Sequence, residues 1–140
     1  MNRKIFLGVI LGLLSIGTAS GIMILYDYLN GPHLLSKEQV IENVFKVSKW
    51  SKDQLSDKII DTKLLQVKNR DIGLVVNEKT FAYEMVAQGI PTMNVAQDQY
   101  IWEVRIVKKI DENNQRIWSY FMDASNGTLL FKDEPSLDKR

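Results

Sequence analysis

The chain has 140 residues and a mass of 16.1 kDa, a length at which a single folded domain is expected. It contains no cysteine and one histidine, which excludes disulfides, a thiolate nucleophile, a lipidated cysteine, and cysteine- or histidine-cluster metal sites. The formal net charge is +1, so the overall charge gives no reason to expect a nucleic-acid partner.

The N-terminal region contains an uncharged apolar segment of 22 residues, which begins at Ile5 and ends at Tyr26. A helix of that length measures about 33 Å, enough to cross a hydrocarbon core of about 30 Å. Arg3 and Lys4 precede it, and basic residues favour the cytoplasmic side. We therefore predict that residues 1–29 form a cytoplasmic stub and a single transmembrane anchor. The lipid bilayer is then a partner, and the rest of the chain lies outside the cell membrane.

A cleaved signal peptide, with a secreted product, is the alternative. Small residues at positions 17–20 supply a candidate cleavage site. The apolar run nevertheless continues to Tyr26, whereas a signal-peptide core spans about 7–15 residues. This length favours the uncleaved anchor.

Gly31 and Pro32 interrupt the apolar helix, so residues 30–36 are predicted to be a linker. Of the 18 basic and 17 acidic side chains of the chain, 16 of each lie in residues 30–140. Ser36 and Gln39 form a capping-box pattern, and apolar residues at helical spacing follow. The pattern predicts a helix from about Lys37 to Ser48. The same capping pattern recurs at residues 51–54 and predicts a second short helix leading towards residues 59 and 60.

Downstream of this region the apolar period changes to two, which predicts an antiparallel meander. Candidate strands cover residues 62–67, 74–76, 81–87, 100–106, 117–122 and 128–131, with a loop over about 89–99. In the fourth strand, apolar residues alternate with Glu103 and Arg105, which predicts one apolar and one largely polar face. The order predicts an α+β fold in which the helix covers one sheet face. The outer domain is assigned to residues 37–132, and residues 133–140 to a flexible charged tail.

Two short motifs of the predicted sheet carry a resemblance. Trp102 and Val104 form a W-x-V pattern, and Asp123 and Gly127 belong to a D-A-x-x-G turn followed by a short apolar strand. Together with the S-K-E-Q-V start of the helix, these residues resemble the PepSY domain family. The segment of residues 49–99 is longer than the family pattern.

The resemblance implies a cystatin-like helix packed on an antiparallel sheet and a non-enzymatic binding or protease-inhibitory role. It supplies no catalytic, cofactor-binding or metal residue. Trp102, Val104, Asp123 and Gly127 are implied to be structural, since aspartate can bond turn amides and glycine tolerates conformations costly for other residues.

Other features of the sequence leave two interpretations open. Asn126 begins an N-x-T sequon, a candidate glycosylation site that also fits an unmodified hairpin turn. Trp102 and Trp118 are predicted to pack across neighbouring strands, and the aromatic residues suit either core packing or an exposed peptide-binding patch. His33 is expected to be a solvated linker residue.

These observations lead to one functional expectation and one alternative. We expect a membrane-anchored, extracytoplasmic binding module that inhibits or regulates a cell-surface protease and binds it through a sheet edge or face. The alternative is a non-catalytic structural or accessory subunit of an integral membrane complex. We expect no enzymatic activity, no cofactor and no nucleic-acid partner.

Overall fold

The computed structural model describes residues 32–135, where one helix packs on a six-stranded antiparallel sheet. The elements are α1 (Lys37–Ser48), a 3-10 turn (Asp53–Leu55), β1 (Ile59–Asn69), β2 (Ile72–Val76), β3 (Tyr83–Gly89), β4 (Tyr100–Lys109), β5 (Gln115–Asp123) and β6 (Leu129–Asp133). The strand order is β3-β2-β1-β4-β5-β6. The predicted α+β architecture is confirmed at this level.

The predicted membrane anchor over residues 5–26 lies outside the described residues, as does the chain after Pro135. Among residues 32–135, no helix is both long enough and apolar enough to cross a bilayer.

Helix α1 has the bounds that the sequence predicts. The backbone N–H of Ser36 donates to Gln39 Oε1 at 2.9 Å, and the N–H of Gln39 donates to Ser36 Oγ at 3.3 Å, completing the capping box. The helix ends at Ser48 and is capped by Lys49, whose φ of 58° is left-handed. Val40 and Val44 are fully buried, so the apolar stripe of the helix covers one face of the sheet, as predicted.

The sheet is apolar on both faces, and the expectation of a largely polar second face is wrong. The helix side carries a cluster that includes Trp102, Val104 and Tyr120. The opposite side carries a second cluster made of Leu65, Val67, Val75, Ile90, Ile101 and Phe121. The β3–β4 loop covers this second cluster, with Met93 and Val95 packed against it.

Backbone hydrogen bonds hold this loop against β1. The N–H of Asp98 donates to the carbonyl of Val67 at 2.7 Å, and the N–H of Val67 donates to the carbonyl of Gln99 at 2.9 Å. The strand alternation does not reveal the cover because the loop is distant in sequence from the residues that it buries.

The predicted second helix is a single 3-10 turn. Its cap exists, since Gln54 Oε1 accepts from the N–H of Ser51 at 3.0 Å. Ile59 and Ile60, however, already belong to β1 and pair with Val107 and Ile106. Cross-strand pairing of β-branched side chains therefore prevails over local capping.

The predicted alternation in β3 is also interrupted. Tyr83 pairs with Val76 and Ala87 with Leu74, so three residues of β3 lie opposite the single residue Val75. This bulge places Met85 at a φ of 58°. β3 begins at Tyr83 rather than Phe81.

The folded unit extends further at both ends than the predicted domain of residues 37–132. It begins at Leu34, and the N–H of Leu35 donates to the carbonyl of Ala124 at 2.8 Å. At the other end, β6 reaches Asp133, and Glu134 accepts a hydrogen bond from the Tyr120 hydroxyl at 3.1 Å. Part of the predicted linker and the start of the predicted tail are therefore built into the fold.

Candidate functional site

The β5–β6 turn is organised by Asp123. Its Oδ1 accepts from the N–H groups of Ser125 at 2.8 Å and Asn126 at 3.3 Å, and its Oδ2 accepts from Gln99 Nε2 at 2.8 Å. The N–H of Gly127 donates to the Asp123 carbonyl at 2.8 Å. The aspartate thus joins this turn to the end of the β3–β4 loop.

Gly127 is the residue of the Asn-Gly pair that takes a positive φ, at 73°. Asn126 does not, so Gly127 alone supplies the positive φ of this pair. A Cβ at position 127 would lie 2.1 Å from Asn43 Nδ2 and 2.9 Å from Leu35 Cδ1. The turn therefore sits directly against α1 and the residues before it. Asn126 is exposed, and its glycosylation stays a prediction.

The W-x-V motif lies in the core. Trp102 is 3 % exposed and Val104 is fully buried. The indole Nε1 of Trp102 donates to the Leu35 carbonyl at 3.1 Å. Neither side chain is available to a partner on the surface.

Trp118 packs against Trp50 rather than against Trp102, its predicted partner. In the register of β4 and β5, Trp102 is opposite Met122 while Trp118 is opposite Ile106, which places the two tryptophans four residue pairs apart along the strands. Trp118 instead packs edge-to-face on Trp50, with 5.2 Å between ring centroids and an interplanar angle of 88°. The predicted cross-strand contact of Trp102 and Trp118 is therefore wrong.

A cleft opens beside this indole pair, and we call it the tryptophan cleft. Its volume is about 530 Å³, and its lining includes Trp50, Trp118, Asp57, Lys58, Lys108 and Arg116. Trp50 Nε1 donates to the Tyr120 hydroxyl at 3.0 Å. Burial is the main cause that raises the pKa of Tyr120, which keeps this phenol protonated.

Asp57 bridges two lysines in the tryptophan cleft. Its Oδ1 lies 2.7 Å from Lys58 Nζ and its Oδ2 lies 2.9 Å from Lys108 Nζ. Hydrogen bonds from Lys58, then Lys108, lower the pKa of Asp57 to about 2. The carboxylate is therefore ionised at neutral pH and holds both cations in place.

The sequence does contain part of the signal for this cleft. If residues are counted outward from the polar turn after β4, Lys108 lies opposite Arg116 and Ile106 lies opposite Trp118. The observed register of β4 and β5 has the same pairs. Trp50 and Lys58 could not be added in this way, because local sequence does not show how the segment after α1 folds back.

The edge strand β3 is a second candidate surface because it exposes large apolar side chains. The side chain of Met85 is 96 % exposed, and Tyr83 and Val86 are about half exposed. A methionine with a left-handed φ is strained, and such strain concentrates at functional sites.

A polar network fixes β3 to β1 beside this apolar tip. The Tyr83 hydroxyl donates to Gln66 Oε1, and Lys68 Nζ donates to the Tyr83 hydroxyl at 2.9 Å and to Asp98 Oδ1 at 3.2 Å. The bond to Tyr83 is the main cause that raises the pKa of Lys68. On the other sheet face, Gln88 Nε2 donates to Glu103 Oε2 at 2.6 Å.

The histidine and the acidic residues do not form a metal-binding group in the described part of the chain. Within residues 32–135, no three acidic or histidine side chains come together as a group that could hold a metal ion. His33 is exposed.

Comparison of the chain with protein-family models, with curated proteins and with solved structures finds no match.

Proposed function

We propose that this protein is a single-pass membrane protein whose extracytoplasmic, PepSY-like domain binds another protein and restrains a cell-surface protease. The anchor in this proposal is the segment from Ile5 to Tyr26, with the N-terminus in the cytoplasm. The W-x-V and D-A-x-x-G motifs support the PepSY assignment. A helix on an antiparallel sheet is compatible with its cystatin-like form.

The observation that supports binding most directly is the edge strand β3. An edge strand offers unpaired backbone groups to an added strand, and natural proteins normally protect such edges with charge or proline. Here the edge carries one charged residue, Glu84, but also Met85 at 96 % exposure, Val86 at 51 % and Tyr83 at 49 %. Exposed apolar groups held in a strained bulge suit an adaptable docking contact, because methionine fits irregular surfaces.

The partner can be captured with a photo-crosslinking amino acid in place of Met85, in the full chain in its native membrane. The matched control places the same group at Val47, which is 50 % exposed on α1, an element that packs on β4 rather than on β3. We expect a defined crosslinked protein from position 85 that is absent from position 47. Mass spectrometry then identifies it.

A second measurement tests the regulatory role. If the captured protein is a protease, the purified full chain in detergent should lower its activity, and Met85→Asp should weaken inhibition about tenfold through loss of an apolar contact. Capture of integral-membrane subunits with no protease among them would favour the subunit alternative. Equal crosslinking from both positions would contradict docking at β3, and release of the protein by alkaline carbonate would contradict the anchor.

A further inference from the structure

The tryptophan cleft is separate from β3. It is built from β4, β5 and the segment between α1 and β1, whereas β3 lies at the opposite edge from β6. We propose that this cleft binds an acidic side chain, glutamate or aspartate, in an extended segment of a partner protein. Docking at β3 and binding in the cleft can therefore fail independently.

Charge is the first argument for an acidic ligand. Lys108 and Arg116 lie directly opposite each other on β4 and β5, and like charges in that position destabilise a strand pair. Asp57 offsets only part of this repulsion because it also pairs with Lys58. Within residues 32–135, Arg116 makes no ion pair.

The balance of charges in the lining supports the same conclusion. The cleft is lined by three cationic side chains and two carboxylates, the second carboxylate being Asp53. One bound carboxylate therefore brings the site to neutrality. The planar guanidinium of Arg116 can hold that carboxylate through two parallel hydrogen bonds, which lysine cannot do.

The indole rings of Trp50 and Trp118 give the cleft an apolar surface whose position is set by contacts within the fold. Trp50 is held by its hydrogen bond to Tyr120 and by its edge contact with Trp118. Lys58 lies 5.5 Å from the centroid of the Trp50 ring and bonds to the carbonyl of Gln54. Because these groups are ordered before a ligand arrives, binding loses little side-chain entropy.

The shape of the cleft favours a polypeptide segment over a small molecule. Small-molecule sites generally enclose most of their ligand, whereas this cleft of about 530 Å³ is widely open to solvent. An extended segment can place one acidic side chain against the cations and an apolar neighbour on the indoles, with its backbone remaining outside.

The test uses the full chain, labelled with ¹⁵N, in a non-ionic detergent. The probe is the capped peptide acetyl-Gly-Leu-Glu-Glu-Leu-Gly-amide, and the control probe replaces both glutamates with glutamine. We expect the acidic peptide to shift the indole N–H signal of Trp118 and to bind about tenfold more tightly than the control at low salt. This difference should shrink as salt screens the charges.

Paired variants locate the site. Arg116→Gln should weaken binding of the acidic peptide about fivefold or more through loss of a charge-assisted contact. Arg70→Gln removes the same charge from the β1–β2 turn and should change binding less than about twofold, a diffuse electrostatic effect. Both side chains are exposed, and an unchanged near-ultraviolet circular dichroism spectrum verifies the fold of each variant.

Four results would overturn the proposal: no binding of the acidic peptide up to about 5 mM, which corresponds to a binding free energy weaker than about 3 kcal/mol; equal binding of the glutamine peptide; equal weakening by Arg116→Gln and Arg70→Gln; or a tenfold gain in peptide affinity in Asp138→Asn. The last would make the chain's own C-terminal segment the occupant of the cleft.

Discussion

Replacing Gly127 with alanine tests how tightly the β5–β6 turn is locked against α1. An L-residue at a φ of 73° is in the left-handed region, which costs alanine about 1–2 kcal/mol. The new methyl group would also lie 2.1 Å from Asn43 Nδ2 and 2.9 Å from Leu35 Cδ1. The Asn43 amide is the end of a flexible side chain and can rotate away.

Leu35 has less freedom, because its N–H donates to Ala124 at 2.8 Å and its carbonyl accepts from Trp102 at 3.1 Å. Overpacking against it adds about 1–2 kcal/mol. We therefore expect Gly127→Ala to lower the free energy of unfolding by about 2–4 kcal/mol.

Urea unfolding of the full chain in non-ionic detergent measures this loss. Trp50, Trp102 and Trp118 are the three tryptophans of the chain and all lie in the helix-on-sheet unit, so their fluorescence reports its unfolding. The urea midpoint should fall by at least about 0.7 M, given slopes of about 1–3 kcal/mol per molar urea.

Gly89→Ala is the matched control. Its added Cβ would meet only the Asp71 carbonyl oxygen, at 4.0 Å, so the change should stay within about 0.5 kcal/mol. Leu35→Ala combined with Gly127→Ala should cost less than the sum of the single changes, since the first removes the Cδ1 atom against which the new methyl group packs. Equal effects at the two glycines, or strict additivity with Leu35→Ala, would refute the steric reasoning.

Three further predictions concern the second sheet face and two titrating groups. Ile90→Ala should cost about 2–4 kcal/mol in urea unfolding because Ile90, the first residue of the β3–β4 loop, is 7 % exposed in the cluster on the second sheet face, whereas Ile110→Ala, at 54 % exposure, should cost under about 1 kcal/mol. The fold lowers the pKa of Asp57 to about 2, so the stabilising contribution of this carboxylate is present above about pH 4 and is lost as the pH falls towards 2. The stability of Asp57→Asn should therefore fall less steeply with decreasing pH than that of the unmodified chain. The same steepness in both proteins would contradict the bridge from Asp57 to two lysines. The pKa of Tyr120 is raised mainly by burial, so its contribution is complete below about pH 10 and is lost at higher pH; Tyr120→Phe should flatten the alkaline decline in stability, and an identical decline would contradict the burial of the phenol.

Local sequence was sufficient wherever one short segment contains the whole cause. The capping box at Ser36 and Gln39 and the spacing of Val40 and Val44 predict α1 with its observed bounds. The polar turn after β4 and the turn at Asp123 likewise mark where strands reverse, because side-chain oxygens there bond to neighbouring amides.

A partial signal existed for the apolar second face. Neighbouring residues are both buried at positions 64–65, 75–76, 101–102 and 121–122. Consecutive apolar residues in a strand indicate a sheet covered on both sides. The periodicity of β4 alone, with Glu103 and Arg105, obscured this pattern, and Glu103 is itself buried, with a hydrogen bond from Gln88.

The sequence by itself determined the helix, the strand order along the chain, the main turns and the uncharged N-terminal segment. Only the tertiary structure decided that Trp50 meets Trp118, that Asp57 joins Lys58 to Lys108, that Met85 protrudes from a bulged edge and that the β3–β4 loop covers the second face. The physical reason is the range of the interactions: caps and turns are satisfied within about four residues, whereas clefts and covered faces depend on burial between segments far apart in the chain.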